Sequence, residues 1–191
     1  MRARSLVAAA LFLGLAGAAA PARAADTFKV DPVHSSLLFR IKHLNVGYIY
    51  GRFNAFGGTF AFDKDPAACN LTFEVNIDSL DTANADRDKH LKGPDFFNVK
   101  QFATAGFKSK SFKAVDEKTY EVSGDLTLHG VTQPVTVKLE RVGTAKGMRG
   151  EVRTGIDTTF TIKRSDFGMK YGLQLLSDEV RITVAVEGIQ Q

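Results

Sequence analysis

The side chains best suited to chemistry in this 191-residue chain are His34, His43, His90 and His129, the single Cys69, and the run Asp86-Arg87-Asp88-Lys89-His90. Histidines two to four residues apart on one element are the usual local signature of a metal site. No two of these four are that close, so no metal is expected, and only a site assembled across the fold stays open. The nucleophile elbow GxSxG, a glycine-rich phosphate loop, the HExxH helix and paired cysteines are all absent. Catalytic residues are therefore not expected. Cys69, alone, can form no intramolecular disulfide and reads as a small buried side chain. The charged run admits two readings: a solvated helix face laced by ion pairs, or a polar cluster at the mouth of a pocket.

The elements that must carry these groups are mostly strands. Apolar residues alternate with polar ones at Leu37, Phe39, Ile41, at Leu71, Phe73, Val75, Ile77, and at Tyr120, Val122, Leu126, Leu128. The pattern returns at Val135, Val137, Leu139, at Val152, Ile156, Phe160, Ile162, and at Val180, Ile182, Val184, Val186. Period two means one apolar and one wet face per strand. Glycine-containing breaks separate the runs, so six to nine mostly antiparallel strands are expected in a sandwich or barrel. Two segments depart from alternation. Ser79 to Gly93 predicts a short polar helix capped by Asp81 or Thr82, and Arg164 to Leu176 reads as a loop carrying apolar side chains.

The first 24 residues read as a cleavable export signal: Arg2 and Arg4, an apolar run of about 15 residues from Leu6 to Ala20, and small residues at Ala22 and Ala24. The run is short for a membrane span, so no stable span is expected. Residues 25–191 are expected to form one domain in the periplasm or outside the cell. The chain has 25 basic and 21 acidic residues, but Arg2, Arg4 and Arg23 lie in the leader, leaving 22 against 21. Lys108, Lys110 and Lys113 cluster without an aromatic stacking array, so nucleic acid is not the expected partner. A homodimer is as compatible with the sequence as a monomer. Beyond Phe12, 14 phenylalanines remain, with four tyrosines and no tryptophan. They suit either a filled core or the wall of a ligand cavity, since an eight-stranded barrel holds either side chains or one small ligand.

Four stretches, HSSLLFRIKHLNVGYIYGRF (34–53), SLDTANADRDKHLKGPDFFNV (79–99), GDLTLHGVTQPVTV (124–137) and RSDFGMKY (164–171), together resemble the YceI-like proteins. The resemblance runs in order from Val30 to Gly188. It implies an all-β fold with one short helix: an extended lipocalin-like, antiparallel, eight-stranded barrel. It also implies a polyisoprenoid or other long-chain amphiphilic lipid in the lumen, with no cofactor required. Tyr48 and Tyr50 are bulkier than the small polar residues expected there, and would shorten the cavity if they pointed inward.

On that frame the alternating residues Phe39, Ile41, Phe73, Val75, Leu126, Leu128, Phe160, Ile162, Val180 and Ile182 are expected to line the lumen. Phe53, Phe97, Phe107, Phe167 and Met169 are expected to join them. Arg87 and His90 on the short helix, with Arg164 and Asp166 on the later loop, are expected at the ligand head. Asp88 is expected to pair with Arg87 or Lys89. The reading that follows is a soluble carrier of an isoprenoid-tailed lipid. The alternatives are an enzyme or electron-transfer accessory acting on an isoprenoid quinone through His90 or His34, and a filled barrel used only for protein contacts.

Overall fold

The computed structural model describes residues 25–191, so the expected leader lies outside the described residues. The strands are β1 (Asp26–Val30), β2 (Ser36–His43), β3 (Gly47–Phe53), β4 (Phe56–Phe62), β5 (Asn70–Asn76), β6 (Leu80–Asp81), β7 (Thr104–Ala114), β8 (Thr119–Leu128), β9 (Val131–Lys146), β10 (Val152–Lys163) and β11 (Leu176–Gln190), with helix α1 (Ala85–Leu91) after β6. Every pairing is antiparallel. The ring β1-β4-β5-β7-β8-β9-β10-β11 closes because β1 pairs with both β4 and β11, giving a closed eight-stranded barrel. Its last strands are long, at 16, 12 and 15 residues for β9, β10 and β11. That length makes the barrel an extended one.

The barrel wall changes along its axis. The end of β11, near Gly188–Gln190, pairs with β1, whereas Val180–Ala185 pair with β2. Between β1 and β2 the chain kinks at Pro32–His34, where the Asp31 side chain accepts from Val33 N at 3.1 Å. Beyond the kink β3 extends the wall, and its outer edge pairs with β6 only at Arg52 and Phe53. The gap beside β3 is covered by α1 and the segment after it. Leu91, Phe97 and Val99 pack against Leu37, Phe53, Val75, Ile77 and Leu80, and Phe53 meets Phe97 edge-on at 5.7 Å.

Helix α1 starts later than the expected cap. Asn84, not Asp81 or Thr82, accepts from Arg87 N. Asp81 accepts instead from Ala83 N, and Ala83 takes a positive φ that no helix can continue through. Asp88 also departs from expectation: it accepts from the backbone N and hydroxyl of Thr82 rather than pairing with Arg87 or Lys89.

The β1–β4 end is solid. Phe28, Phe60, Val122 and Leu139 are essentially inaccessible there, with Phe28 stacked on Phe60 at 5.5 Å. Gly188 permits this packing, because a Cβ on it would lie 2.5 Å from the Phe60 ring. Burying each such ring stabilises by about 1.5–3 kcal/mol. Cys69 lies buried beside this plug, and burial pushes its thiol above the ordinary range, as the reading of it as a small buried side chain requires. Lys108, Lys110 and Lys113 all lie on β7, where Lys110 meets Asp125 of β8 at 2.6 Å and Lys113 lies 3.9 Å from Glu121.

Candidate functional site

The other end of the barrel is hollow. A cavity of about 490 Å³ runs from the aromatic plug to the mouth beside α1, within the ~300–1,000 Å³ usual for a single-ligand pocket. Alternation brings one apolar face of each surrounding strand to it. Phe39 and Ile41 come from β2, Phe53 from β3, Phe73 and Val75 from β5, and Phe107 from β7. Leu126 and Leu128 of β8, Phe160 and Ile162 of β10, and Val180 and Ile182 of β11 complete the ring. Phe97 and Met169 enter from connecting segments.

Of the apolar residues expected in the lumen, only Phe167 is off its wall. It ends the 3₁₀ turn Arg164–Phe167 and is buried behind Ile162 and Met169, 2 % exposed. The turn rotates the chain by other than a half-step per residue, so strand alternation does not carry into it. The wall also includes Leu37, Leu71, Leu139, Ile156, Val184 and Val186, which extend the same alternating sets inward. Ile49, Phe96, Tyr171 and Leu175 line it as well. Phe96, Tyr171 and Leu175 sit in connections, where period two offers no signal.

Tyr48 and Tyr50 point outward and do not shorten the cavity. They are 49 % and 61 % exposed, with the Arg40 guanidinium stacked 4.3 Å from the Tyr48 ring. Ile49 between them faces in. Gly51 continues that inward set as a glycine because a Cβ there would lie 2.2 Å from the Phe39 ring, which therefore spreads across the inner surface of the sheet.

Polar groups reach the cavity chiefly around its mouth. The Arg87 Nε donates to the Thr82 hydroxyl at 2.8 Å and an Nη to the Thr82 carbonyl. Two of its five N–H donors are thereby used, and the side chain still borders the cavity. His90 also borders it, half-exposed, with Nε2 2.9 Å from an Asp95 carboxylate oxygen. Its ring meets Phe96 and Tyr171 edge-on at 5.1 and 5.5 Å, which fastens α1 to the later loop.

Of the two loop residues expected at the ligand head, Arg164 borders the cavity and Asp166 does not. Arg164 is 3 % exposed, and its guanidinium donates to the carbonyls of Ser177, Met169, Tyr171 and Leu176, at 3.0, 2.9, 2.7 and 3.4 Å. Burial lowers its pKa from the ordinary value, and the nearby Asp178 carboxylate opposes that shift. Its task is to pin the loop that shapes the mouth. Asp166 is exposed and off the cavity wall; Gln133 donates to its backbone carbonyl.

The remaining histidines are dispersed. His34 lies against Asp31 at 2.7 Å beside Arg153, at the plugged end. His129 Nδ1 lies 3.1 Å from the Phe167 carbonyl, and His43 is exposed at the mouth. Among the described residues no group of three or more His, Cys, Asp or Glu could hold a metal ion. The cavity wall contains no carboxylate, serine or cysteine among the described residues. Chemically it offers dispersion and apolar burial along its length, and around its mouth the guanidiniums of Arg87 and Arg164, the imidazoles of His43 and His90 and the hydroxyls of Thr82 and Tyr171.

Comparison with known proteins accords with this architecture. The family model described as the YceI-like domain matches residues 28–188. A UPF0312 protein of Pseudomonas aeruginosa is 43% identical over 186 residues, covering 96% of this chain and 97% of the relative. Protein YceI of Escherichia coli O157:H7 is 42% identical over 183 residues, covering 94% and 95%. Among solved structures, Campylobacter jejuni YCEI protein superposes with a TM-score of 0.71 at 31% identity, covering 78% of this chain and 90% of that one. A polyisoprenoid binding domain from Saccharophagus degradans shares the fold at TM-score 0.70 and 15% identity, covering 86% and 98%.

Proposed function

The chain belongs to the YceI-like domain family, and from that premise and the hollow barrel end we propose that it carries one polyisoprenoid-tailed or similar amphiphilic lipid. The tail lies in the lumen and the polar head at the mouth, near Arg87 and His90. The observation that carries this reading is the cavity: about 490 Å³, apolar along its length, with its charged side chains near the open end. A fold relative described as polyisoprenoid binding agrees with it. The leader motif of the sequence supports work in the periplasm.

The energetics suit a carrier. Each buried methylene contributes about 0.8 kcal/mol, so roughly ten buried carbons supply about 8 kcal/mol gross. That is micromolar-scale affinity before ordering costs. Tail burial then carries affinity, and polar groups at the mouth set orientation. The quinone-enzyme alternative has less support: His34 is tied into the Asp31–Arg153 cluster at the plugged end, and His90 at the mouth has no serine or cysteine beside it on the described cavity wall.

Organic extraction of protein purified from its native host, followed by mass spectrometry, tests the carrier reading. About one long-chain lipid per protein is expected. A lipid-free extract from fully folded protein would overturn it.

A further inference from the structure

Two loops form the outer lip of the cavity, and both end in exposed apolar side chains. One is the β2–β3 turn, with Leu44 51 % and Val46 88 % exposed; the other carries Tyr171, Leu173 and Leu175, between 41 % and 51 % exposed. The loops are tied together, Leu44 N donating to the Leu175 carbonyl at 2.7 Å. This is one contiguous lip rather than scattered surface leucines.

The turn itself is unusual for its sequence. Leu44 and Asn45 both have positive φ, 51° and 56°, the geometry of a tight hairpin turn that favours Asn and Gly. A bulky leucine there is disfavoured by its backbone and is left half in solvent. Folding of the hairpin does not explain it. The exposed leucine is instead free to meet an apolar surface outside the molecule.

Charge and continuity identify the partner. Residues 38–50 and 167–176 contain Arg40, Lys42 and Lys170 and no acid. The acids that adjoin these segments are Asp166, Asp178 and Glu179. Asp178 accepts from Ser165, and Glu179 stands opposite Lys163 in the β10–β11 register, while on the α1 side Asp88 is held by Thr82 and Asp95 by His90. Tyr171 and Leu175 belong at once to the lip and to the cavity wall, so the apolar path from lumen to exterior is unbroken. Apolar tips flanked by cations match the surface of an anionic bilayer, where tips enter the acyl boundary and lysines meet headgroups.

We infer that this lip seats the barrel mouth on an anionic phospholipid membrane, so that a lipid tail passes between bilayer and lumen without crossing water. The inference rests on the carrier reading for its purpose, but not for its test. The full-length protein as purified is floated with vesicles of phosphatidylcholine, alone or mixed with phosphatidylglycerol. Val46→Asp and Leu173→Asp, at positions off the cavity wall, are expected to weaken flotation about tenfold or more while each variant retains the wild-type complement of co-purified lipid. Lys42→Gln and Lys170→Gln are each expected to weaken binding to the anionic vesicles roughly fivefold, with little effect on neutral ones. Wild-type protein that carries lipid yet ignores vesicles would overturn docking while leaving the carrier standing. So would flotation unaffected by both rim aspartates, or binding only to membranes that retain their proteins. Rim-dependent flotation of a protein that never carries lipid would sustain docking and remove the carrier.

Discussion

Filling the cavity from its wall should shorten the tail that fits without unfolding the barrel. Ala105 is the smallest side chain presented by β7 to the lumen; it shares a face with Phe107 and pairs with Val75. An Ala105→Phe change adds a ring that displaces roughly four methylene-sized groups, each about the ~30 Å³ of a water, out of a cavity of about 490 Å³. At about 0.8 kcal/mol per methylene, the loss is about 3 kcal/mol, or on the order of 100-fold in affinity. Stability should hold, because the ring enters empty space and the 1–3 kcal/mol cost typical of overpacking a filled core does not apply. The assay is displacement of a fluorescent lipid by a series of prenyl alcohols of increasing length, alongside thermal unfolding. Long tails should lose affinity and tails too short to reach the ring should keep it. A folded Ala105→Phe protein that binds every length like wild type would refute the lumen as the binding site.

Four further outcomes are expected. Arg87→Ala should weaken binding by about 1–3 kcal/mol and compress the ranking of ligands that differ only in the head, leaving tail-length preference intact, as competition binding would read. Replacing both Tyr48 and Tyr50 by alanine should leave lipid affinity unchanged, because both rings face solvent; a clear loss by the same assay would contradict that orientation. His34 and Arg153 hydrogen bonds hold the Asp31 carboxyl down from the ordinary 3.8 to about 2. Its depressed pKa makes the stabilisation complete above pH 3.8 and removes it as pH falls to about 2. Thermal midpoints recorded down that range should drop for wild type, while Asp31→Asn should start lower at neutral pH and lack this part of the decline. Intact mass of the exported protein should begin at Ala25, and a retained Met1 would contradict the cleavage reading.

Much of the lumen was legible because the antiparallel strand has a two-residue period. Once Phe39 and Ile41 share a face, or Leu126 and Leu128, closure of the ring can only turn both inward or both outward. Tyr48 and Tyr50 obey the same rule from the other side, since Ile49, Gly51 and Phe53 occupy the inner face of β3. What alternation could not reveal was depth. Tyr120 and Val122 carry the same pattern as Leu126 and Leu128 on β8 yet lie in the plug, and the division between plug and hollow depends on Phe28 and Phe60, brought together by the pairing of β1 with β4.

The polar site was harder to read. Arg164 borders the cavity, but nothing in the sequence signals the four carbonyls, from Met169 to Ser177, that converge on its guanidinium. Those acceptors belong to a loop whose path has no periodicity. Phe167 and Met169 stand two apart, as strand neighbours would, yet a 3₁₀ turn and the positive φ of Gly168 separate their directions. The helix start was obscured by Asp81, Thr82 and Asn84, all competent caps; Ala83 with its positive φ decides among them.

Where the lipid tail sits is best tested by photo-crosslinking. A prenyl probe bearing a diazirine at its tail end is loaded onto the purified protein, irradiated, and its adducts are mapped by peptide mass spectrometry. One adduct per protein is expected, on inward residues such as Phe39, Phe107, Leu126 or Ile182, with competition by unlabelled lipid. Adducts confined to outward residues such as Tyr48, Tyr50 or Val142, or scattered without competition, would contradict a lumen-bound tail.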